Sequence, residues 1–254
     1  MPFTATHIGT ATLLLEIGDV RLLTDPAFDP PGRTYSFGWG TRSTRTLGPA
    51  LSADALGRID AVLLSHDQHA DNLDDAGRAL LPGAGAIVTT RAAQKRLGLA
   101  HARGLSPFTS TEVGGVRITA TPARHGPPGS LPIVGEVIGF LLESPLLAGP
   151  IYISGDTVWF DGVAEVARRF RVDTAFLHLG NVGFPISGPL RYTFDAQQAV
   201  TAATALGARQ IVPVHYGGWT HFRQPRAQVE EVFSFAGLTQ RTRWLAPGER
   251  ATFD

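Results

Sequence analysis

Short apolar runs that alternate with helical patterns constrain the fold of this chain more than any other feature of its sequence. The runs have the length and composition of buried strands and cover residues 12–17, 20–24, 61–64, 86–89, 116–120, 137–142, 151–153, 174–177 and 211–214. Helical patterns fall mostly between them, at residues 73–81, 91–97, 162–169, 195–206 and 228–236, with Asp195 as a helix cap. Because strands and helices interleave, the sequence predicts an α/β fold.

The chain length fits one domain. A single α/β unit often reaches the size of this chain, which has 254 residues. A strand-rich half that ends near residue 144 is followed by a second half of similar make-up. We therefore expect one domain over residues 1–254, built from two βα halves (about 1–144 and 145–254) that share one core.

The composition excludes several classes of protein and of metal site. The 22 basic and 22 acidic residues cancel, so no net field attracts nucleic acid, and we expect no nucleic-acid partner. The chain has no cysteine, which leaves histidine and carboxylate as its strong metal ligands. No apolar stretch reaches the roughly 18 residues of a membrane span, and the first residues lack a secretion signal. We expect a soluble, cytoplasmic protein with a small-molecule substrate and no membrane span.

Five of the apolar runs end in a residue that can bind a metal ion. These residues are, in chain order, His66, His125, Asp156, His178 and His215. In α/β folds the carboxyl ends of strands meet at one edge, so side chains that are far apart in sequence come together there. The sequence therefore predicts a metal centre at this edge.

The densest group of candidate ligands lies in residues 65–74, SHDQHADNLD, directly after the predicted strand 61–64. This segment resembles the His-x-His-x-Asp-His-Leu-Asp signature of the metallo-β-lactamase superfamily. Four further segments follow in the order of that family: Thr24-Asp25-Pro26, Pro122-Ala123-Arg124-His125, Ser154-Gly155-Asp156-Thr157 and Pro213-Val214-His215-Tyr216. The resemblance covers nearly the whole chain and looks closest to the branch with ascorbate-phosphate lactonase and N-acylphosphatidylethanolamine phospholipase D. It implies a four-layer αββα sandwich.

Two positions depart from the signature. Gln68 stands where the family usually has its second histidine, and Asn72 stands where a histidine usually follows the aspartate. If the segment is aligned on His69 instead, His69 becomes the second ligand and the loop carries one extra residue. We prefer this alignment, because an imidazole is a much better ligand than a neutral amide for a metal such as zinc.

The resemblance implies a ligand for each position of a two-metal site. The implied set is His66, His69 and His125 for one ion, Asp71 and His215 for a second, and Asp156 as the bridge between the two. Because Asn72 removes an imidazole from the second site, a single ion is an alternative working state. The implied cofactor is one or two divalent metal ions, Zn²⁺ first, with Mn²⁺ or Fe²⁺ as alternatives.

A metal-dependent hydrolase is the function that this ligand set implies. A bound divalent ion lowers the pKa of water from about 15.7 to about 7, which makes metal-bound hydroxide available at neutral pH. Asp71 is the candidate catalytic residue, because it could orient the hydroxide or pass its proton to the leaving group. The expected reaction is the cleavage of an ester, a lactone or a phosphodiester in a small molecule.

Two other functions stay open. The residues Gln68 and Asn72 also suit a metal-poor binding or regulatory protein that has kept the fold. Related folds include nucleases as well, although the balanced charge and the single lysine, Lys95, give that function little support. A measurement of metal content separates the first alternative from a hydrolase.

Further residues are candidates for supporting the ligands or lining the pocket. They are Asp25, which could instead simply end its hairpin, and Gln68, Asn72, His7, His178, Trp219 and His221. The segments 33–45 and 126–135 are expected to overhang the metal edge, the first within a long surface loop over residues 30–49. They offer apolar walls, and the arginines that could bind an anionic group are Arg33, Arg42 and Arg45. The alternative is that both segments are solvated loops with a few buried aromatic residues.

Overall fold

The computed structural model describes residues 2–254 and contains two large mixed β-sheets that pack face to face. The first sheet has the strand order β15 (Arg250–Phe253), β1 (Phe3–Gly9), β2 (Thr12–Ile17), β3 (Val20–Thr24), β6 (Ala61–Leu63), β7 (Ile87–Thr90) and β8 (Ala102–Leu105). The second has the order β14 (Gln210–Val214), β13 (Thr174–His178), β12 (Ile151–Ile153), β11 (Ile138–Glu143), β10 (Val116–Pro122) and β9 (Ser110–Val113). Two short strands, β4 (Thr34–Ser36) and β5 (Arg42–Thr44), form a separate hairpin.

Helices cover the outer face of each sheet. Their bounds are α1 (Asp75–Leu80), α2 (Arg91–Leu97), α3 (Leu131–Val134), α4 (Asp161–Arg169), α5 (Ala196–Leu206) and α6 (Arg226–Phe235). On the first sheet, Leu80 of α1 and Leu97 of α2 pack against the apolar cluster of its outer face. On the second sheet, α4, α5 and α6 share one buried cluster with Tyr152 and Ala175. The layers are helix, sheet, sheet and helix, and the predicted α/β fold is confirmed. No helix of residues 2–254 is long and apolar enough to cross a membrane.

Strand β2 shows why the sequence builds a layered structure. Its residues Leu13 and Leu15 join the core between the two sheets, and Leu14 joins the cluster under the helices. Successive side chains of a strand point to opposite faces, so an uninterrupted apolar run is typical of a strand that is buried on both sides. The run 12–17 therefore specifies a strand at the centre of four layers rather than one at the surface.

The pairing of the strands brings the predicted ligands to one edge. Strands β12, β13 and β14 are parallel. Strand β10 pairs antiparallel with β11, and β11 pairs antiparallel with β12, so β10 runs in the same direction as β12. In the first sheet β3 and β6 are parallel. The loops that carry the predicted ligands all follow the carboxyl ends of these strands, and the other sheet edge carries none of them.

Several elements were not predicted from the sequence. The terminal strands β1 and β15 pair with each other, and the one-turn helix α3 lies inside the segment 126–135. The predicted loop 30–49 contains the hairpin of β4 and β5, whose residues alternate between exposed and buried over only three positions. A pattern of three residues is too short to predict a strand. The division into two βα halves stays a prediction: β9 to β11 belong to the second sheet, and β15 belongs to the first.

Candidate metal centre

Three buried imidazoles form the first ligand group, which we call the histidine group: His66, His69 and His125. The Nε2 atom of His66 lies 3.0 Å from Nδ1 of His69, and Nε2 of His125 lies 3.1 Å from the same atom. These nitrogens converge from a loop after β6 and a loop after β10. A set of this kind can hold one metal ion.

The outer ring nitrogens of His66 and His125 are held by neighbouring residues. Nδ1 of His125 lies 2.7 Å from the carbonyl oxygen of Tyr192. A carbonyl only accepts hydrogen bonds, so Nδ1 carries the proton and Nε2 keeps its lone pair toward the centre. Nδ1 of His66 lies 2.9 Å from Oγ of Ser65. Both rings are therefore oriented by the partner of their other nitrogen.

Two carboxylates and one imidazole form the second ligand group, which we call the carboxylate group: Asp71, Asp156 and His215. Nε2 of His215 lies 3.3 Å from Oδ2 of Asp71 and 3.6 Å from Oδ1 of Asp156. The other oxygen of Asp156, Oδ2, is 3.9 Å from Nε2 of His125. Asp156 thus lies between the two groups, with one oxygen toward each.

Burial and charge give the two groups different protonation. Burial lowers the pKa of His69 to about 4 and that of His66 well below its ordinary value, so both rings are neutral at pH 7. Burial disfavours charge on Asp71, but the neighbouring imidazoles of His215 and His221 hold its pKa well below the usual range. Burial also lowers the pKa of His215, but Asp156 and Asp71 outweigh it and raise that pKa to about 9.

Buried polar atoms without a partner test whether these residues fit a cation. Oδ1 of Asp71, Oδ2 of Asp156 and Nε2 of His215 are buried and have no hydrogen-bond partner among residues 2–254. A buried polar atom left unpaired costs about 1 to 3 kcal/mol, and more when it is charged. All three atoms belong to the carboxylate group and would be satisfied by a divalent ion. The donor set, imidazole nitrogen and carboxylate oxygen, fits such an ion.

Asp25 and Asn72 support the loop that carries His66. Oδ1 of Asp25 accepts a hydrogen bond of 2.7 Å from the backbone nitrogen of Ser65, and burial raises the pKa of Asp25 to about 8. Nδ2 of Asn72 lies 3.5 Å from Oγ of Ser65. Neither side chain belongs to a ligand group, and Asp25 acts on the backbone next to His66 rather than on the imidazole.

Gln68 lies outside both groups. Its Oε1 accepts a hydrogen bond of 3.2 Å from the backbone nitrogen of Asp67. Its amide packs against Gly135, where an added Cβ atom would come within 1.8 Å of Nε2. The structure thus places His69, and not Gln68, beside His66 and His125, as the alignment on His69 expects.

Two of the four remaining histidine and tryptophan candidates contact the carboxylates. Nδ1 of His178 is 2.9 Å from Oδ1 of Asp156, and Nε2 of His221 is 3.0 Å from Oδ2 of Asp71. His7 and Trp219 contact neither group. They bond elsewhere, His7 to the carbonyl of Leu245 at 3.0 Å and Trp219 to Oγ1 of Thr10 at 3.2 Å.

The arginines near the first loop do not offer a free cation to the site. Arg45 is fully buried and pairs with Asp74 at 2.6 Å, and Arg33 pairs with Asp75 at 2.5 Å. Both arginines pair with the acidic start of α1, and neither lines the cavity next to the ligands. Arg42 is exposed on β5 and does not line the cavity next to the ligands.

A cavity of about 200 Å³ opens onto the ligand groups. His69 and Asp71, one residue from each group, form part of its lining together with His221. The rest is largely apolar or aromatic and contains neither lysine nor arginine; the main apolar residues are Phe37, Trp39, Ile133, Val134, Val182, Phe184, Ile186, Leu190 and Tyr192. A neutral substrate fits such a cavity better than an anion.

Several residues of the site were missed from the sequence. Ser43 contacts Nδ1 of His221 at 2.5 Å, and the ring of Phe184 stacks on His221 with centroids 5.4 Å apart. Tyr192 orients His125 through a backbone carbonyl, which leaves no trace in residue type. The only signal for the wall at 182–190 was a Gly- and Pro-rich stretch with apolar residues, VGFPISGPL.

Comparisons with known proteins agree with this geometry. Residues 20–216 match the family model of the Beta-lactamase superfamily domain. The chain belongs to the metallo-β-lactamase superfamily. A UPF0173 metal-dependent hydrolase of Nitratidesulfovibrio vulgaris (strain DP4) is 28% identical over 97% of this chain and 93% of the relative. Another, of Solibacter usitatus, is 30% identical over 63% of this chain and 68% of the relative. Within the superfamily this chain is a metal-dependent hydrolase.

Solved structures share the fold across the full length of the chain. An isothiocyanate hydrolase from Delia radicum gut bacteria superposes with a TM-score of 0.84 at 23% identity, covering 99% of both chains. A possible metal-dependent hydrolase from Veillonella parvula gives a TM-score of 0.84 at 24% identity, covering 98% of this chain and 99% of the other. The narrower resemblance to the lactonase and phospholipase D branch stays a prediction.

Proposed function

We propose that this protein hydrolyses a small uncharged ester or lactone, with one or two divalent ions held by the histidine and carboxylate groups. The observation that carries this proposal is the cavity, which has ligand residues of both groups in its wall and an otherwise largely apolar lining. A phosphodiester would have its negative charge balanced by the metal ions alone, because no lysine or arginine lines the cavity. The lining therefore favours attack at a neutral carbonyl carbon.

The donor types also bear on the metal. Imidazole nitrogens in the histidine group suit Zn²⁺ best, and Mn²⁺ or Fe²⁺ fit the carboxylate oxygens of the second group. When bound, the ion lowers the pKa of water to about 7 and polarises the carbonyl oxygen. The chain itself supplies the ligands, the orientation of the substrate and the handling of protons.

Asp71 is the residue that we assign to proton transfer. Its Oδ2 atom is held by His221 at 3.0 Å, whereas Oδ1 is buried without a hydrogen-bond partner. The residue lines the cavity, so Oδ1 could hold a proton taken from water and deliver it to the leaving alkoxide. This role belongs to the state with one ion in the histidine group, because a second ion in the carboxylate group would take Oδ1 as a ligand.

The aromatic walls position the substrate and keep water out. The ring of Phe37 lies 5.4 Å from that of His69 and 5.0 Å from that of His221, centroid to centroid. Phe184, whose ring centroid lies 5.7 Å from that of Phe37, stacks on His221 in the same lining. Excluding water strengthens the electrostatic interactions between substrate and protein inside the cavity.

The test is to purify the protein without chelator, measure its metal content and assay p-nitrophenyl esters, lactones and a phosphodiester. We expect bound metal and ester or lactone turnover that falls more than about 100-fold in Asp156→Ala or His125→Ala. The control is His101→Ala, because His101 lies outside both groups and bonds the carbonyl of Leu81. Circular dichroism checks that each variant is folded. Full turnover in His125→Ala would refute the proposal.

The second candidate substrate is an isothiocyanate. It is favoured by the apolar cavity, because an isothiocyanate is a neutral carbon electrophile, and by the similarity to the solved isothiocyanate hydrolase. Addition of water to the central carbon and cleavage of the C–N bond would give an amine and carbonyl sulfide. The assay follows the loss of ultraviolet absorbance of benzyl isothiocyanate and the release of benzylamine. Turnover here, together with no turnover of the esters and lactones, would identify an isothiocyanate hydrolase.

The same experiment decides between hydrolase and binding protein. A purified chain without metal and without turnover on any class would support the metal-poor binding or regulatory protein. A nuclease would require RNA or DNA cleavage with a steep salt dependence. The cavity lining, which carries no lysine or arginine, gives that function no support.

A further inference from the structure

Four large apolar side chains around the cavity mouth are exposed to solvent. They are Trp39, Ile133, Ile186 and Leu190, with 72%, 47%, 71% and 44% of their surface exposed. All four also line the cavity next to the ligand groups. We call this set the apolar collar.

The collar is assembled from three separate parts of the chain. Trp39 lies in the turn between β4 and β5, Ile133 lies in α3, and Ile186 and Leu190 lie in the segment 182–192. Among residues 2–254 the other exposed large apolar side chains are Leu47, Leu131 and Phe235. Exposed apolar residues are ordinary when they are scattered, but a group that surrounds one opening indicates a binding surface.

The collar and the ligands give the cavity two chemically different ends. His69 and Asp71 lie where the cavity meets the ligand groups, and the collar lies where it meets solvent. A molecule bound between them would place its polar reactive group at the inner end and its apolar part at the mouth. The volume of about 200 Å³ is small, so a longer apolar part must extend onto the collar.

We infer that the substrates are neutral compounds with an extended aliphatic or aryl substituent, and that the apolar collar is the specificity determinant that binds this substituent. The inference rests on the proposed hydrolase function and adds the class of substrate. The occupant is the substrate rather than a partner protein or a lipid surface, because the collar residues continue the wall that contains the ligands. Each methylene that the collar covers should raise kcat/KM by about two- to fourfold.

The test is a series of p-nitrophenyl esters from acetate through butyrate and hexanoate to octanoate, or the matching alkyl isothiocyanates if only that class is cleaved. We expect kcat/KM of the metal-loaded protein to rise along the series. In Ile186→Ser and Trp39→Ser the rise should flatten, so that kcat/KM for octanoate falls about tenfold more than kcat/KM for acetate. Phe235→Ser is the matched control, because Phe235 is 97% exposed on α6 and outside the cavity lining.

A binding measurement gives a readout without turnover. N-octylacetamide, a neutral amide that resists hydrolysis, should shift the tryptophan fluorescence of the protein, and the shift should be smaller in Trp39→Phe. N-ethylacetamide at the same concentration should cause little change.

The outcomes separate this inference from the proposed function. If no ester and no isothiocyanate of any length is cleaved, the proposed function fails. If they are cleaved with a rate that does not depend on chain length, or if the collar variants keep the full slope, this inference alone is overturned. Sedimentation and vesicle binding complete the test: a dimer or a vesicle complex that Ile186→Ser abolishes, with the chain-length slope intact, would also overturn it.

Discussion

The histidine group and the carboxylate group lie side by side but differ in charge. The first consists of three imidazoles, of which burial keeps His66 and His69 neutral at pH 7. The second contains two ionised carboxylates, and their negative charge raises the pKa of the third member, His215, to about 9. One group can stay buried without a cation, whereas the other needs either a metal ion or a proton on His215. The same edge of the sheets thus carries two ligand groups that differ in charge.

Removing the metal should have the largest effect on this pair of sites. An ion that binds only the folded protein stabilises it by about 4 kcal/mol when its concentration is a thousand times its dissociation constant. We expect chelation to lower the free energy of unfolding in urea and added Zn²⁺ to restore it. In Asp156→Ala, which loses the residue between the groups, added Zn²⁺ should restore much less of the free energy of unfolding. Superimposable curves with and without chelator would contradict a metal-binding role for either group.

In the metal-free protein the two groups should respond oppositely to pH. The folded-state pKa of His69, about 4, lies below its ordinary 6.5, so the unfolded chain binds more protons and stability rises between these values. The folded-state pKa of His215, about 9, lies above 6.5, so its contribution is present below pH 6.5 and is lost as the pH rises through 9. Each contribution is on the order of 3 kcal/mol.

Urea unfolding across pH 4 to pH 9.5 measures this difference. His69→Asn should flatten the rise at low pH, and His215→Asn should reduce the fall at high pH. Asp25, with a pKa raised from 3.8 to about 8, makes stability fall from about pH 4 to pH 8, so it offsets part of the rise at low pH, and part of the fall should persist in His215→Asn. If the free energy of unfolding changes with pH in the same direction below pH 6.5 and above it, the two groups do not differ in protonation as their residues indicate.

Removing one imidazole should lower the metal content of the histidine group and leave that of the carboxylate group unchanged. We expect His69→Ala to lose the ion of the histidine group, keep affinity at the carboxylate group and reduce turnover by more than about 100-fold. The matched control is Gln68→Ala, one residue earlier and outside both groups. Metal analysis after dialysis, alongside kinetics, measures both quantities. If Gln68→Ala loses the metal and His69→Ala keeps it, the alignment on His69 is wrong.

The outer partner of Asp71 should matter more to the carboxylate group than to the histidine group. His221→Phe removes the 3.0 Å contact to Oδ2 of Asp71, and an outer partner of this kind is worth about 10- to 100-fold in metal affinity or activity. His221→Asn, which keeps a donor, should lose less. Competition with a chelating dye reports affinity at each site. Equal weakening of both sites would indicate a general packing defect instead.

The smallest expected change comes from restoring a histidine to the carboxylate group. The side chain of Asn72 is fully buried, and its Oδ1 has no hydrogen-bond partner. Asn72→His should add a ligand and tighten the weaker ion by about tenfold, since ligand number and type set affinity. Gln68→His is the comparison, because position 68 faces Gly135 and should not gain an ion. Equal gains in metal affinity in both variants would show that positions 68 and 72 do not differ in their access to the metal.

The strand-end ligands were predictable because they depend on local patterns. Apolar runs predict buried strands, and the histidine or aspartate that follows each run is then placed by the shared strand direction. His178 was assigned to packing or pocket lining rather than to coordination, and it lies against Asp156 instead of joining a ligand group. The ligand roles themselves stay predictions until metal is measured.

What the sequence did not reveal depends on contacts between distant segments. Ser43 and His221 meet across 178 residues, and Tyr192 uses only its backbone to hold His125. Arg45 resembled a surface cation because its partner, Asp74, comes from another element and buries it completely. The collar likewise could not be predicted from the sequence, because its residues come from three short segments that are far apart in the chain and have no periodic pattern. These features require the tertiary fold.

The close approach of Gln68 to Gly135 has a consequence for engineering. On the alignment that uses His69, the loop after β6 holds one residue more than the signature, and the amide of Gln68 occupies space that a Cβ atom at position 135 would fill. The length of one loop and the residue type in another are thus linked. Gly135 also has a φ of +77°, which residues with a Cβ atom rarely adopt, so a chimera with a shorter loop would relieve the contact with Gln68 but would still need glycine at position 135. Grafting the present loop elsewhere will require a glycine opposite it.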